Sequence, residues 1–257
     1  LALGNHGGEA SLEVLRDIYY LSPPEQEILA SFALLARGRL GDPAVIRDAR
    51  FAIERHSSPI EYANALLSLA HIGGEAAEEE LRIALSHHDE RVMIAALTGY
   101  GILGARSGQF GLLLTLARDG TPAQRERALV VLGEHGGLDQ VRVLRHYRDQ
   151  PDARIQRAAI LGMAAAGYVH VIPDLIELLQ APATMTRLQA LTWLIRLTGR
   201  EYGLEPLVWL EWWQSNGRDL IAARDQAGPE VDLNLPADAE GSAGAADGVR
   251  AADGSSG

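Results

Sequence analysis

The chain has 257 residues, 47% of them hydrophobic and 22% charged, which is enough apolar material for a sizeable folded core. All 23 basic residues are arginine against 34 carboxylates, a formal charge of −11, and so acidic a balance disfavours the clustered cations that grip nucleic acid or an anionic membrane. The absence of cysteine excludes disulfides, thiolate metal sites and cysteine nucleophiles, and no apolar run reaches the roughly 18–20 residues of a membrane-spanning helix.

In chain order, residues 1–8 read as the end of a helix already in progress, so the first repeat is expected to be truncated. Beyond them the apolar residues follow a 3.6-residue period rather than alternation, which predicts an all-α chain. The helices fall in pairs: 9–20 with 25–37, 43–55 with 58–72, 76–86 with 90–103, 109–117 with 122–134, 139–147 with 152–166, and 171–180 with 184–198. Apolar runs ending in glycine separate the pairs, as in LALGNHGGEA at 1–10, LARGRLGDPA at 35–44, LAHIGGEAAE at 69–78 and VLGEHGGLDQ at 131–140. With Gly8, Gly41, Gly74, Gly104, Gly137, Gly167 and Gly199 as markers, the spacings are 33, 33, 30, 33, 30 and 32, room for two helices and two turns. Prolines such as Pro59, Pro122 and Pro173 stand near helix starts, where a missing N–H is tolerated, and Asp42 and Ser58 are placed to cap.

A single pair cannot bury its apolar face alone, so stacked pairs are expected to share a continuous core. Registering the second helices on their closing glycines puts Ala65, Ala95, Ala128, Ala158 and Ala190 at one position, where a small side chain lets neighbouring helices approach. The earliest pair has Phe32 there and Ala33 beside it, which implies either looser packing or a one-residue shift.

The segments DERVMIAALTGYGILG (89–104), RERALVVLGEHGG (125–137) and DARIQRAAILGMAAAG (152–167) resemble the HEAT-like repeats of the phycobilisome-lyase type. That pattern has an acidic residue, a β-branched residue and Arg, then Ala and Leu-Gly. Val92 and Ile155 match the β-branched position, while Met93 and Gln156 stand where Arg would follow. The segment LTGREYGLEPLVWLEWW (197–213) resembles a terminal motif of bacterial proteins of this repeat class. The resemblance covers residues 1–200 and implies a right-handed α-solenoid of about six HEAT-like helix pairs, closed by a capping helix region at 201–227. Residues 228–257, composed of Gly, Ala, Asp, Ser and Pro without apolar period, are expected to be a disordered acidic tail.

Residues able to carry chemistry are few. His6 and His135 share a junction position and His71 lies one residue from it, but successive junctions are spread by roughly 10 Å along a stack of helices, so these read as polar helix ends. His87, His88, Asp89 and Glu90 sit in a turn and read as a cap. The chain lacks the His-Glu dipeptides of deoxyhypusine hydroxylase, a di-iron enzyme of HEAT-like build, and has no nucleophile elbow or phosphate loop, so neither metal nor cofactor is expected. Gly99, Gly101 and Gly104 suggest a softened or kinked helix end. An arginine-rich stretch from Arg125 to Arg157 carries two more cations than anions; it reads chiefly as solvated faces and ion pairs, with an anion or acidic-peptide patch as the alternative. Trp209, Trp212 and Trp213 share one helical face and would cap the open end of the stack or serve as an aromatic anchor.

These features favour a non-catalytic scaffold that binds a partner protein or peptide on a concave surface lined by second helices, with Asn64, Arg127, Arg157 and Gln189 in contact. The resemblance alone implies a second possibility, a bilin lyase or isomerase that binds a chromophore. A third is a regulatory repeat segment of a larger protein. Nucleic acid is not an expected partner, and the chain contains no expected membrane segment.

Overall fold

The computed structural model describes residues 8–55 and 58–227. Its helices are α1 (Glu9–Leu21), α2 (Glu27–Arg39), α3 (Val45–Glu54), α4 (Pro59–Ile72), α5 (Glu75–Ala84), α6 (Glu90–Ser107) and α7 (Gly111–Asp119). They continue as α8 (Pro122–Gly136), α9 (Val141–Arg148), α10 (Ala153–Ala165), α11 (Ile172–Leu178), α12 (Thr184–Thr198) and α13 (Pro206–Ala227). Among the described residues there is no strand, and no helix is long and apolar enough to cross a membrane. His6 and the tail expected at 228–257 lie outside the described residues.

Each odd-numbered helix from α1 to α11 packs on the helix that follows it. The even-numbered helices also pack in series, α2 on α4, α4 on α6, α6 on α8, α8 on α10 and α10 on α12. The difference follows from how each kind of helix is sided. On α9 the apolar stripe Val141, Leu144 and Tyr147 is buried while Arg142, Arg145 and His146 face solvent, which suits an outer helix with one covered face. On α10, Ile155 and the run Ala158–Ala164 are buried, as required of a helix covered on several sides.

Local signals place the helix starts. Ser58 and Thr121 each close a capping box, with Glu61 and Gln124 reaching back to the cap N–H, and Pro59 and Pro122 occupy the first helical position. Asp89 and Asp152 accept backbone N–H groups at the starts of α6 and α10. Asp42 is a correction: the N-cap of α3 is Ala44, with no side-chain cap bond, and Asp42 accepts the Ala44 N–H at 3.2 Å in the preceding turn while its carboxylate pairs with Arg16 and Arg37.

Ala65, Ala95, Ala128, Ala158 and Ala190 are all buried between second helices. In the first pair Ala33 is buried and Phe32 is 39% exposed, so that helix is shifted by one residue rather than loosely packed. Gly41, Gly74, Gly137, Gly167 and Gly199 have positive φ at the junctions. Gly104 is a correction: it lies inside α6, which continues to Ser107 and closes at the left-handed Gly108. The glycines of this helix serve packing, since a Cβ on Gly99 would meet Leu81 at 2.5 Å and one on Gly101 would meet His135 and Val131 at 2.5 Å.

The last helix departs from the alternation. α13 packs on α11 and on the turn Val169–Val171, so it crosses the layer of first helices. Trp209 is fully buried there, its Nε1 donating to the Gly203 carbonyl at 2.8 Å and its ring meeting the edge of Tyr202. Trp213, Leu220 and Ile221 pack against the same core, which extends from Met93 to Trp209; three smaller clusters hold the helices before it.

Candidate functional site

The second helices α6, α8, α10 and α12 line a groove of about 920 Å3. Arg127 and Glu134 of α8, Arg157 of α10, and Gln189 and Trp193 of α12 all face it, so three of the four sequence-derived contact residues converge on one surface. Ile94, Val130, Ala158 and Leu161 supply its apolar floor.

Both arginines are held by carboxylates. Arg127 Nη2 donates to Glu134 Oε2 at 3.1 Å and to Thr98 Oγ1 at 3.1 Å, while Arg157 Nη2 donates to Glu126 Oε2 at 3.4 Å. Arg154 stands 3.9 Å from the other oxygen of Glu126. The groove is therefore a mosaic of paired charges rather than an anion trap. Arg127 Nε is buried without a hydrogen-bond partner among the described residues. Glu126, Glu134 and Trp193 were not among the expected contact residues; the signal for the carboxylates lies in RERALVVLGEH, where Glu134 follows Arg127 by two helical turns.

Asn64 requires correction. It is buried between α2 and α4, and its Nδ2 donates to Ser31 Oγ at 2.9 Å, so it joins two helices and does not face the groove. Trp209 is likewise core, while Trp212 and Trp213 are half-buried.

The histidine turn acts as a cap: the Asp89 N–H donates to His87 Nδ1, and the His87 and His88 rings stack at 4.3 Å. The hydrogen bond from Arg91, countering the smaller effect of desolvation, holds the Asp89 carboxyl at about 2. Burial, helped by the neighbouring Arg39 and Arg106, pushes the His71 imidazole down to about 4; burial also lowers His135, with Arg127 adding to it. Both rings are thus kept neutral at helix ends.

A second charged cluster lies at the other end of the chain, beside a cavity of about 610 Å3 bordered by Tyr19, Tyr20 and Phe51. Arg37 is fully buried, donating to Asp42 and Asp48 at 2.8 Å each, with its guanidinium over the rings of Tyr19 and Tyr20. Arg16 and Arg47 reach the same carboxylates from outside. The cluster ties α1, α2 and α3 together.

No family model matches the chain, and no curated protein is significantly similar to it.

Proposed function

We propose that the chain is a right-handed, HEAT-like α-solenoid of about six helix pairs that acts as a non-catalytic scaffold, receiving an extended peptide segment of a partner protein in the groove of α6, α8, α10 and α12. The observation that carries this reading is the alternation of paired Arg and Glu side chains above an apolar floor along consecutive second helices. A peptide backbone offers N–H donors and C=O acceptors in alternation, and such a mosaic meets both. At the usual 8–10 Å between packed helices, three steps cover roughly 24–30 Å, which an extended segment of about eight residues spans. Trp193, half-buried and with Arg196 over its ring at 5.0 Å, supplies a rigid apolar contact at one end.

The test is selection from a displayed peptide library, followed by affinity measurement on the combined Glu126→Arg and Arg157→Glu variant. This exchange keeps the ion pair that links α8 and α10 and inverts its direction. The selected peptides are expected to bind the exchanged protein at least about tenfold more weakly, a change of roughly 1.4 kcal/mol. Failure to select any peptide, or equal binding to both proteins, would remove the groove as the recognition surface.

A further inference from the structure

The arginines of the 125–157 stretch divide between two faces of the molecule. Those on α8 and α10 are matched by carboxylates, as described above. Arg142 and Arg145, on α9, have no ion-pair or side-chain hydrogen-bond partner among the described residues, and the same holds for Arg224 near the end of α13. These three unmatched cations line one pocket of about 340 Å3, which the sequence gives no means of assembling because Arg224 arrives only when α13 crosses the first-helix layer.

We infer that this pocket is a binding site for a small phosphomonoester carried on an apolar or aromatic body. The charge is unbalanced: among the described residues Asp225 is the one carboxylate in the lining, which His170 joins. Arg142 and Arg145 are three residues apart on one face of α9, so their guanidinium groups serve the same side. Arg145 is positioned by Tyr168, whose ring lies 4.9 Å from the guanidinium carbon and stacks on His170. That contact orients the guanidinium while leaving its N–H donors free for an anion. A phosphate dianion uses several planar donor forks at once, which suits three arginines converging from two helices better than one. Beside Gly167, the rest of the lining is apolar: Leu138 is exposed, with Val141 and Val169 buried beneath the surface, and Leu138 would cover the organic part of the ligand. The volume lies at the small end of the range for such sites.

The site is separate from the proposed peptide groove, so each reading can fail without the other. Calorimetric titration of the full chain with phenyl phosphate tests it, beside inorganic phosphate and phenol to separate charge from ring. Phenyl phosphate is expected to bind at one site with a Kd at or below about 1 mM, and both comparators at least about tenfold more weakly. Affinity is expected to fall as sodium chloride rises. The Arg142→Gln and Arg145→Gln double variant alters two exposed side chains, so its helical circular dichroism should be unchanged while binding falls at least about tenfold. Absence of saturable binding at about 10 mM phenyl phosphate would overturn the inference. So would undiminished binding by the folded double variant, or inorganic phosphate binding as tightly as the ester.

Discussion

Arg37 has no exposure to solvent, and its two hydrogen-bonded carboxylates, Asp42 and Asp48, are almost as deeply buried. Desolvation alone would push the Asp42 carboxyl up; hydrogen bonds from Arg16, Arg37 and the Ala44 N–H outweigh it and hold Asp42 at about 2. Its folded value is therefore below the unfolded one, so its contribution is complete above about pH 4 and is lost as pH falls toward 2. Replacing Arg37 by Met leaves Asp42 and Asp48 facing each other with only the outer arginines, and should destabilise the fold by roughly 3–5 kcal/mol in urea unfolding at pH 7. A loss below about 0.5 kcal/mol would show that Arg16 and Arg47 suffice. His71 has the opposite chemistry with the same direction in pH. Its value drops from 6.5 to about 4 because burial and nearby arginines penalise the cation. Between those values the unfolded chain binds more protons, so stability should decline as pH is lowered from about 6.5 to 4. The His71→Gln variant should show a shallower slope, with His135 responsible for part of what remains; an unchanged slope would place its origin elsewhere.

At the scale of elements, the Leu-Gly pairs of the repeat pattern have a physical cause that helix propensity would not suggest. A Cβ on Gly133 would lie 1.8 Å from the Gly162 carbonyl oxygen, and one on Gly162 would lie 2.5 Å from the Leu129 carbonyl oxygen. The backbones of α8 and α10 touch there, and only glycine permits the approach. In an isolated helix Gly→Ala gains about 1 kcal/mol, yet Gly133→Ala is expected to destabilise this protein by about 1–3 kcal/mol because the helices must separate. Gly111→Ala, with nothing within 4 Å of the added Cβ, should be neutral or stabilising by up to about 1 kcal/mol. Thermal unfolding of the two variants decides the matter: shifts of equal sign would contradict the close-approach argument. The helix pairs, the cap at Ser58 and the recurrent alanines are legible because each depends on hydrophobic period or turn chemistry within a few residues; Asp42 is not a cap because its carboxylate is taken by Arg16 and Arg37 from other helices. The extension of α6 to Ser107 is not legible, since Gly104 reads as a terminator until Phe110 is seen against it. Asn64 shares the register of the groove residues, one residue before Ala65, and only the position of Ser31 on the neighbouring helix explains its burial.

For the whole molecule, the distribution of the core predicts uneven stability. One large apolar cluster joins the helices from α6 to α13, whereas α1 to α5 rely on smaller clusters, the foremost consisting of Leu15, Ala33 and Ala36. In a chain whose contacts run from neighbour to neighbour, opening can be confined to the weaker end. Native-state hydrogen exchange should therefore show lower opening free energies for amides of α1 to α3 than for those of α8, α10 and α12. Equal protection throughout would indicate a single cooperative unit.

The helices, their pairing, the cap at Ser58 and the small-residue register can be read from the chain alone, because hydrophobic period and turn chemistry act over a few residues. The same register places Asn64, Arg127, Arg157 and Gln189 each one residue before a recurrent alanine, and three of the four face the groove. Helix packing is what matches the groove arginines with Glu126 and Glu134, buries the charge of Arg37, and lays α13 on α11 and the turn Val169–Val171 so that Arg224 lines one pocket with Arg142 and Arg145. Charge pairing and pocket formation depend on distances between residues far apart in the chain, and those distances are set when the helices pack.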